Sequence, residues 1–147
     1  MCCIIHRKKD TKEIPTSNLE KIIKINSDGW GISYMKGKEL VVIKSLDMGD
    51  AIKQVRELED ANTEFLFHAR YTTHGDNTLA NCHPYKLING VMFHNGKINI
   101  HCRDKRMSDT YYFSLRVNKF LKRKRSIDQV VNKFQRIIGP SRLAFMT

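Results

Sequence analysis

The chain has 147 residues, 41% of them hydrophobic and 28% charged, enough for one packed domain over residues 1–147 and too apolar for global disorder. No apolar run approaches the roughly 20 residues that cross a bilayer, and the stretch 2–5 is too short for a secretory core; a soluble cytoplasmic protein with no membrane partner is expected. Twenty-six Lys and Arg against 15 Asp and Glu give a net charge of +11, an excess that suits a polyanionic partner or simply solubility and is silent about fold.

In chain order, `CCII` reads as a short first strand, followed by a charged loop ending near Pro15. `SNLEKIIKI` carries a capping-box pattern, Ser17 with Glu20, ahead of an apolar face formed by Ile22 and Ile23. `SDGWGISYMKGKELVVIK` reads as a hairpin turning at Lys36-Gly37-Lys38. `DAIKQVRELED` is helical, with Asp50 as N-cap and Ile52, Val55 and Leu58 or Glu59 facing inward. `TEFLFHARYTT`, rich in aromatic and β-favouring residues, is a central strand.

`VMFHNGKINI` has the local signature of a hairpin, because Asn95-Gly96 accepts the positive φ angles of a type I′ turn. Ser108 caps a helix that places Asp109 in its first turn and Phe113, Val117, Phe120 and Leu121 along one side. A second capping box, Ser126 with Gln129, opens the helix that ends at Gly139, and `RLAFM` is a closing strand. Strands and helices mix without a βαβ rhythm, so the fold class is α+β with largely antiparallel sheets.

Four cysteines are present, at 2, 3, 82 and 102. No export signal is evident, so reduced thiols are expected, and none sits in a C-x-x-C pair. Six histidines allow a trio such as His83, His94 and His101, but the spacing matches no common metal pattern, and no metal or other cofactor is expected.

Cys2 is the residue that most needs a function. Removal of Met1 would leave one residue carrying both a thiol and a free amine, with ordinary pKa values of about 8.5 and 7.7–8.0. The amine could then take the thiol proton and return it to a leaving group, which is what acyl transfer from an amide requires. Arg70 stands in an otherwise apolar strand, where a cation is costly without an anionic partner.

Cys2, `DGWGISY`, `HARYTTHG`, `NCHPY` with `HNG`, and `SDT` occur in one order. Together they resemble class II glutamine amidotransferases, the cysteine branch of the N-terminal nucleophile hydrolases, in a shortened variant that carries DGWG early in the chain. The resemblance runs from Cys2 to about Asp109. It implies an αββα sandwich of antiparallel sheets and hydrolysis of L-glutamine to glutamate and ammonia through a thioester on Cys2. It assigns the oxyanion donors to Asn95 and Gly96, the substrate contacts to Arg70, Thr73 and Asp109, and loop organisation to His74 and His83. Arg70 would hold the substrate α-carboxylate and Asp109 its α-ammonium, a clamp that selects a free amino acid over a peptide amide.

The pattern departs from the family in three places. Cys3 replaces the glycine that usually follows the nucleophile, Tyr71 stands where tryptophan is common, and the chain is short of the family's glutaminase domains. A second sheet trimmed in this way would present an open edge, to be covered by an ammonia-accepting enzyme or a second copy.

A competing reading makes the chain a catalytically inactive family member that binds nucleic acid or an acidic protein. Its basis is `RVNKFLKRKRS`, with six cations from Arg116 to Arg125 and no acid. Solvated cations also complement the end of a helix dipole, and no recognised nucleic-acid motif is present. A third reading keeps the nucleophile and changes the amide, against which Arg70 and Asp109 argue.

Overall fold

The computed structural model describes residues 2–147, so the expected removal of Met1 concerns a residue outside them. Two antiparallel sheets form an α+β fold. The first contains β1 (Cys3–Arg7), β2 (Trp30–Lys36), β3 (Glu39–Ser45) and β4 (Phe65–Ala69) in the order β1-β4-β2-β3. The second contains β5 (Tyr85–Leu87), β6 (Gly90–Asn95) and β7 (Arg142–Met146), in that order. Among the described residues four α-helices accompany them: α1 (Thr16–Ile25), α2 (Ala51–Asp60), α3 (Asp109–Leu121) and α4 (Ile127–Ile138).

Side-chain alternation along the strands decides the layering. Phe65, Phe67 and Ala69 of β4 join Trp30 and Ile32 of β2 beneath Leu19 of α1 and Val55 and Leu58 of α2. Leu66 points the other way and meets Val91 and Phe93 of β6, so the two sheets lie face to face. On the far side, Met92 packs with Phe113, Val117 and Leu121 of α3 and with Val130 and Ile138 of α4. Each fully buried large apolar side chain contributes about 1.5–3 kcal/mol, and the helix–sheet contacts on both outer faces carry most of that burial.

Several local expectations match. The β2–β3 hairpin closes with Lys36 opposite Glu39, β4 is an interior strand, and Ser108 accepts a hydrogen bond from the Tyr111 N–H as the cap of α3. Both bonds of the Ser126–Gln129 box are made.

Three expectations are corrected. The Ser17–Glu20 box is absent, because α1 begins at Thr16 with Pro15 in the cap position, two residues before Ser17, and the Pro15 carbonyl accepts from Asn18 and Leu19 instead. Asp50 precedes α2 but makes no side-chain cap; its backbone carbonyl receives the Gln54 N–H. Asn95-Gly96 does not turn a hairpin. β6 pairs with β5 and β7, while residues 97–100 run on as an irregular segment that buries Ile98 in the second core. Burial of that isoleucine outweighs the local turn preference, and Gly96 keeps a φ of +134° at the bend.

Candidate active site

Cys2, Arg70, Thr73, His74, His83, Gly96 and Asp109 line one small cleft at the end of the two sheets, together with Tyr71, Asn81, His94, Ser108 and Thr110. About 30 Å³ is open, room for a water or two. Two larger surface grooves, of about 790 and 780 Å³, lie elsewhere and include none of these residues.

Strand register brings the first two residues together. β1 runs antiparallel to β4 with Cys3 opposite Ala69, so Cys2 falls beside the residues that follow β4. Its Sγ donates to the Tyr71 carbonyl at 3.3 Å and accepts from the Tyr71 N–H at 3.4 Å. Alternation turns Cys3 to the other face, where its neighbour-but-one Ile5 packs against the first core. The extra side chain therefore does not crowd the cleft. Burial, and then the adjacent Cys2, push the Cys3 thiol above its ordinary pKa.

Arg70 is 3% exposed. Its guanidinium donates to the Asn77 side-chain oxygen at 3.1 Å and to the carbonyls of His74 and Asp76 at 3.3 and 3.2 Å. All of these acceptors are neutral, and among the described residues no carboxylate pairs with it. Asp109 is also buried and, among the described residues, makes no ion pair; it accepts from the backbone N–H groups of Ile98 and Thr110, each at 2.7 Å. Two opposite charges thus face one cleft without neutralising partners of their own, an arrangement that favours a zwitterionic occupant.

The glycines of `DGWG` make this geometry possible. A Cβ on Gly31 would collide with the His83 carbonyl, and one on Gly29 would lie 2.7 Å from Cys82 Sγ. Their bare backbones let the 82–84 segment cross directly over β2. Lys44 fastens that segment from the side, donating to the Cys82 carbonyl at 2.9 Å. The remaining residues of the motif act as ties: Trp30 donates to the Asp47 carbonyl, and Asp28 accepts from the Thr72 N–H.

His74 and His83 occupy different settings. The His74 ring is exposed with Nδ1 3.3 Å from Thr73 Oγ1, and its backbone carbonyl is one of the three acceptors that hold Arg70. His83 is buried, its ring tilted against that of His68 with centroids 4.0 Å apart, while the His94 ring lies 6.3 Å from it. Neither ring nitrogen of His68 or His83 has a protein partner. Burial drives the His68 pKa down to about 3 and holds His83 well below its ordinary value. Among the described residues no three His, Cys, Asp or Glu side chains are arranged to hold a metal.

Asn95, next to Gly96 in sequence, is the candidate that the cleft lining does not include; its side-chain oxygen is buried without a partner among the described residues. Residues not anticipated from sequence are Asn81, His94 and Thr110. Asn81 ties three segments together, donating to the Asp76 and Arg106 carbonyls and accepting from the Ser108 N–H. Its place in `NCHPY`, two residues before His83, was the available signal. His94 Nδ1 lies 2.7 Å from Thr110 Oγ1, a contact across β6 and α3 that sequence spacing does not reveal.

The chain belongs to the class II glutamine amidotransferases, the family that matches residues 17–112. That stretch contains Arg70, Thr73, His74, His83, Asn95, Gly96 and Asp109, and begins beyond Cys2. The chain is 34% identical over 94 residues to glutamine–fructose-6-phosphate aminotransferase (isomerizing) of Bacillus subtilis strain 168, a match covering 60% of the chain and 15% of that relative. The protein of the same name from Streptococcus pyogenes serotype M6 is 28% identical over 102 residues, 67% of the chain and 17% of the relative. The chain thus spans about a sixth of the length of the curated relatives it matches.

Proposed function

We propose that this chain hydrolyses L-glutamine to glutamate and ammonia through a γ-glutamyl thioester on Cys2, on an N-terminal nucleophile hydrolase framework. The observation that carries the proposal is the meeting of Cys2 with the unpaired charges of Arg70 and Asp109 in one cleft. Arg70 takes the α-carboxylate and Asp109 the α-ammonium, while Thr73 supports the bound substrate. The substrate is larger than the space now open, so its binding shifts the exposed Thr73 and His74 side chains.

With Met1 removed, the Cys2 amine accepts the thiol proton and sulfur attacks the side-chain amide carbon, forming the C–S bond. The carbonyl oxygen becomes an oxyanion facing the Asn95 amide and the Gly96 N–H. The C–N bond breaks as the amine returns its proton, releasing ammonia. Water, deprotonated by the same amine, then attacks the thioester, and glutamate leaves with regeneration of the thiol. His83 and His68, held neutral by burial, support the cleft without exchanging protons with substrate. The ammonia is released or passed to an acceptor enzyme; an acceptor or a second copy would cover the free edge of β7.

Glutamate release from L-glutamine by the purified protein tests the proposal. Cys2→Ala is expected to abolish it, and activity surviving that change removes Cys2 from the chemistry.

A further inference from the structure

The opposite end of α3 carries a second surface that the proposed chemistry does not use. Asp109 at the start of the helix faces the cleft, while Lys119 lies ten residues on, about 15 Å along the axis. From there Arg116, Lys119, Lys122, Arg123, Lys124 and Arg125 are all exposed, and among the described residues none of them is in an ion pair. α4 adds Lys133 and Arg136, exposed and likewise unpaired.

These cations do more than surround a helix end. Arg116, Lys119 and Arg123 line a groove of about 260 Å³ that also contains Phe120 and Phe134. The two rings meet edge to face with centroids 5.7 Å apart, and both are half-buried. Cations at the rim and recessed aromatic rings below are the two components that single-stranded nucleic acid requires: charge for the phosphates and a π surface for a base. A lipid surface would need large apolar side chains standing out among the cations. Among the described residues the exposed large hydrophobic side chains all lie outside 116–138, with Leu115 the nearest along the chain. An acidic peptide would use the charge and leave the rings idle.

We propose that the α3–α4 groove binds single-stranded nucleic acid, with Arg116, Lys119 and Arg123 on phosphates and Phe120 and Phe134 against a base, independently of the glutamine cleft.

Anisotropy of fluorescently labelled dT20 and rU20 oligonucleotides, titrated with the whole protein between about 50 and 300 mM salt, tests this. The R116Q/K119Q/R123Q variant is expected to bind at least about 10-fold more weakly at low salt. Its slope of log affinity against log salt should be shallower by about two, since each phosphate contact contributes about 0.7 on single strands. K8Q/K9Q/K12Q, which removes the same charge from an exposed loop, is expected to bind within about three-fold of the unchanged protein. Phe120→Leu keeps apolar volume and removes one ring, and is expected to cost about 10-fold. Glutamate release should be unaffected by the groove triple. Thermal melting of each variant separates lost contacts from lost folding. The proposal is overturned by no oligonucleotide binding at low salt or by equal losses in the two triples. It is equally overturned by binding to anionic phospholipid vesicles or polyglutamate as tight as to the oligonucleotides.

Discussion

Asp28 and Thr72 are joined by a hydrogen bond of 2.6 Å, from the Thr72 N–H to Asp28 Oδ2, across 44 positions of sequence. The bond prolongs the pairing of β2 with β4, which continues through Arg70 N–H to the Gly29 carbonyl at 2.8 Å. The acid of `DGWG` therefore fixes where the chain leaves the sheet just after Arg70. Removing a charged acceptor from such a bond costs about 1.5–3 kcal/mol. Asp28→Ala is expected to raise KM for glutamine about 10-fold or more, while Asp28→Asn, which keeps an acceptor, has a smaller effect. Steady-state kinetics on the two variants measures the difference.

Arg70 and Asp109 should act on substrate selection. Arg70→Lys keeps the charge and loses the planar fork, and is expected to raise KM for glutamine about 10- to 100-fold. Asp109→Asn keeps one acceptor oxygen, enough for only one of the N–H donors of Ile98 and Thr110, and loses the charge opposite the ammonium. Its relative preference for glutamine over N-acetylglutamine should shrink. Equal discrimination by Asp109→Asn and the unchanged protein would remove Asp109 from the clamp.

The buried pair His68 and His83 makes folding sensitive to acid. Unfolded, each histidine takes up a proton near pH 6.5; folded, His68 stays neutral down to about pH 3 because it is buried, with Arg70 and His94 nearby. Between those values the unfolded chain binds more protons, so stability is full above about pH 6.5 and declines as pH falls. Each histidine that remains neutral contributes about 1.4 kcal/mol per pH unit to that slope. Urea unfolding at pH 7, 6 and 5 should show the decline, and His68→Gln should flatten it.

Much of the fold was legible because local chemistry and tertiary contacts agree there. The Ser108 and Ser126 caps, the β2–β3 turn and the apolar period of β4 each follow from neighbours along the chain. Where burial competes with a local signal, the local signal loses. Asn95-Gly96 looks like a hairpin, yet Ile98 is drawn into the core beneath α3, and β6 finds its partner in β7, about 50 residues away. Cys2, Arg70 and Asp109 were legible through motif order and the cost of a lone cation in an apolar run, although Arg70 falls one residue beyond the end of β4 rather than within the strand. The contact of His94 with Thr110 and the knot at Asn81 were not, since they depend on how α3 and the 76–81 loop meet in space.

The central claim is that the Cys2 sulfur, its own freed amine and the charged cleft act as one unit on glutamine. Intact-mass measurement after incubation with an electrophilic glutamine analogue, such as its diazoketone, tests this most directly. The expected result is a protein lacking Met1 that carries one adduct, lost in Cys2→Ala and suppressed by excess glutamine. A retained Met1, an unlabelled protein, or an adduct that persists in Cys2→Ala would contradict it.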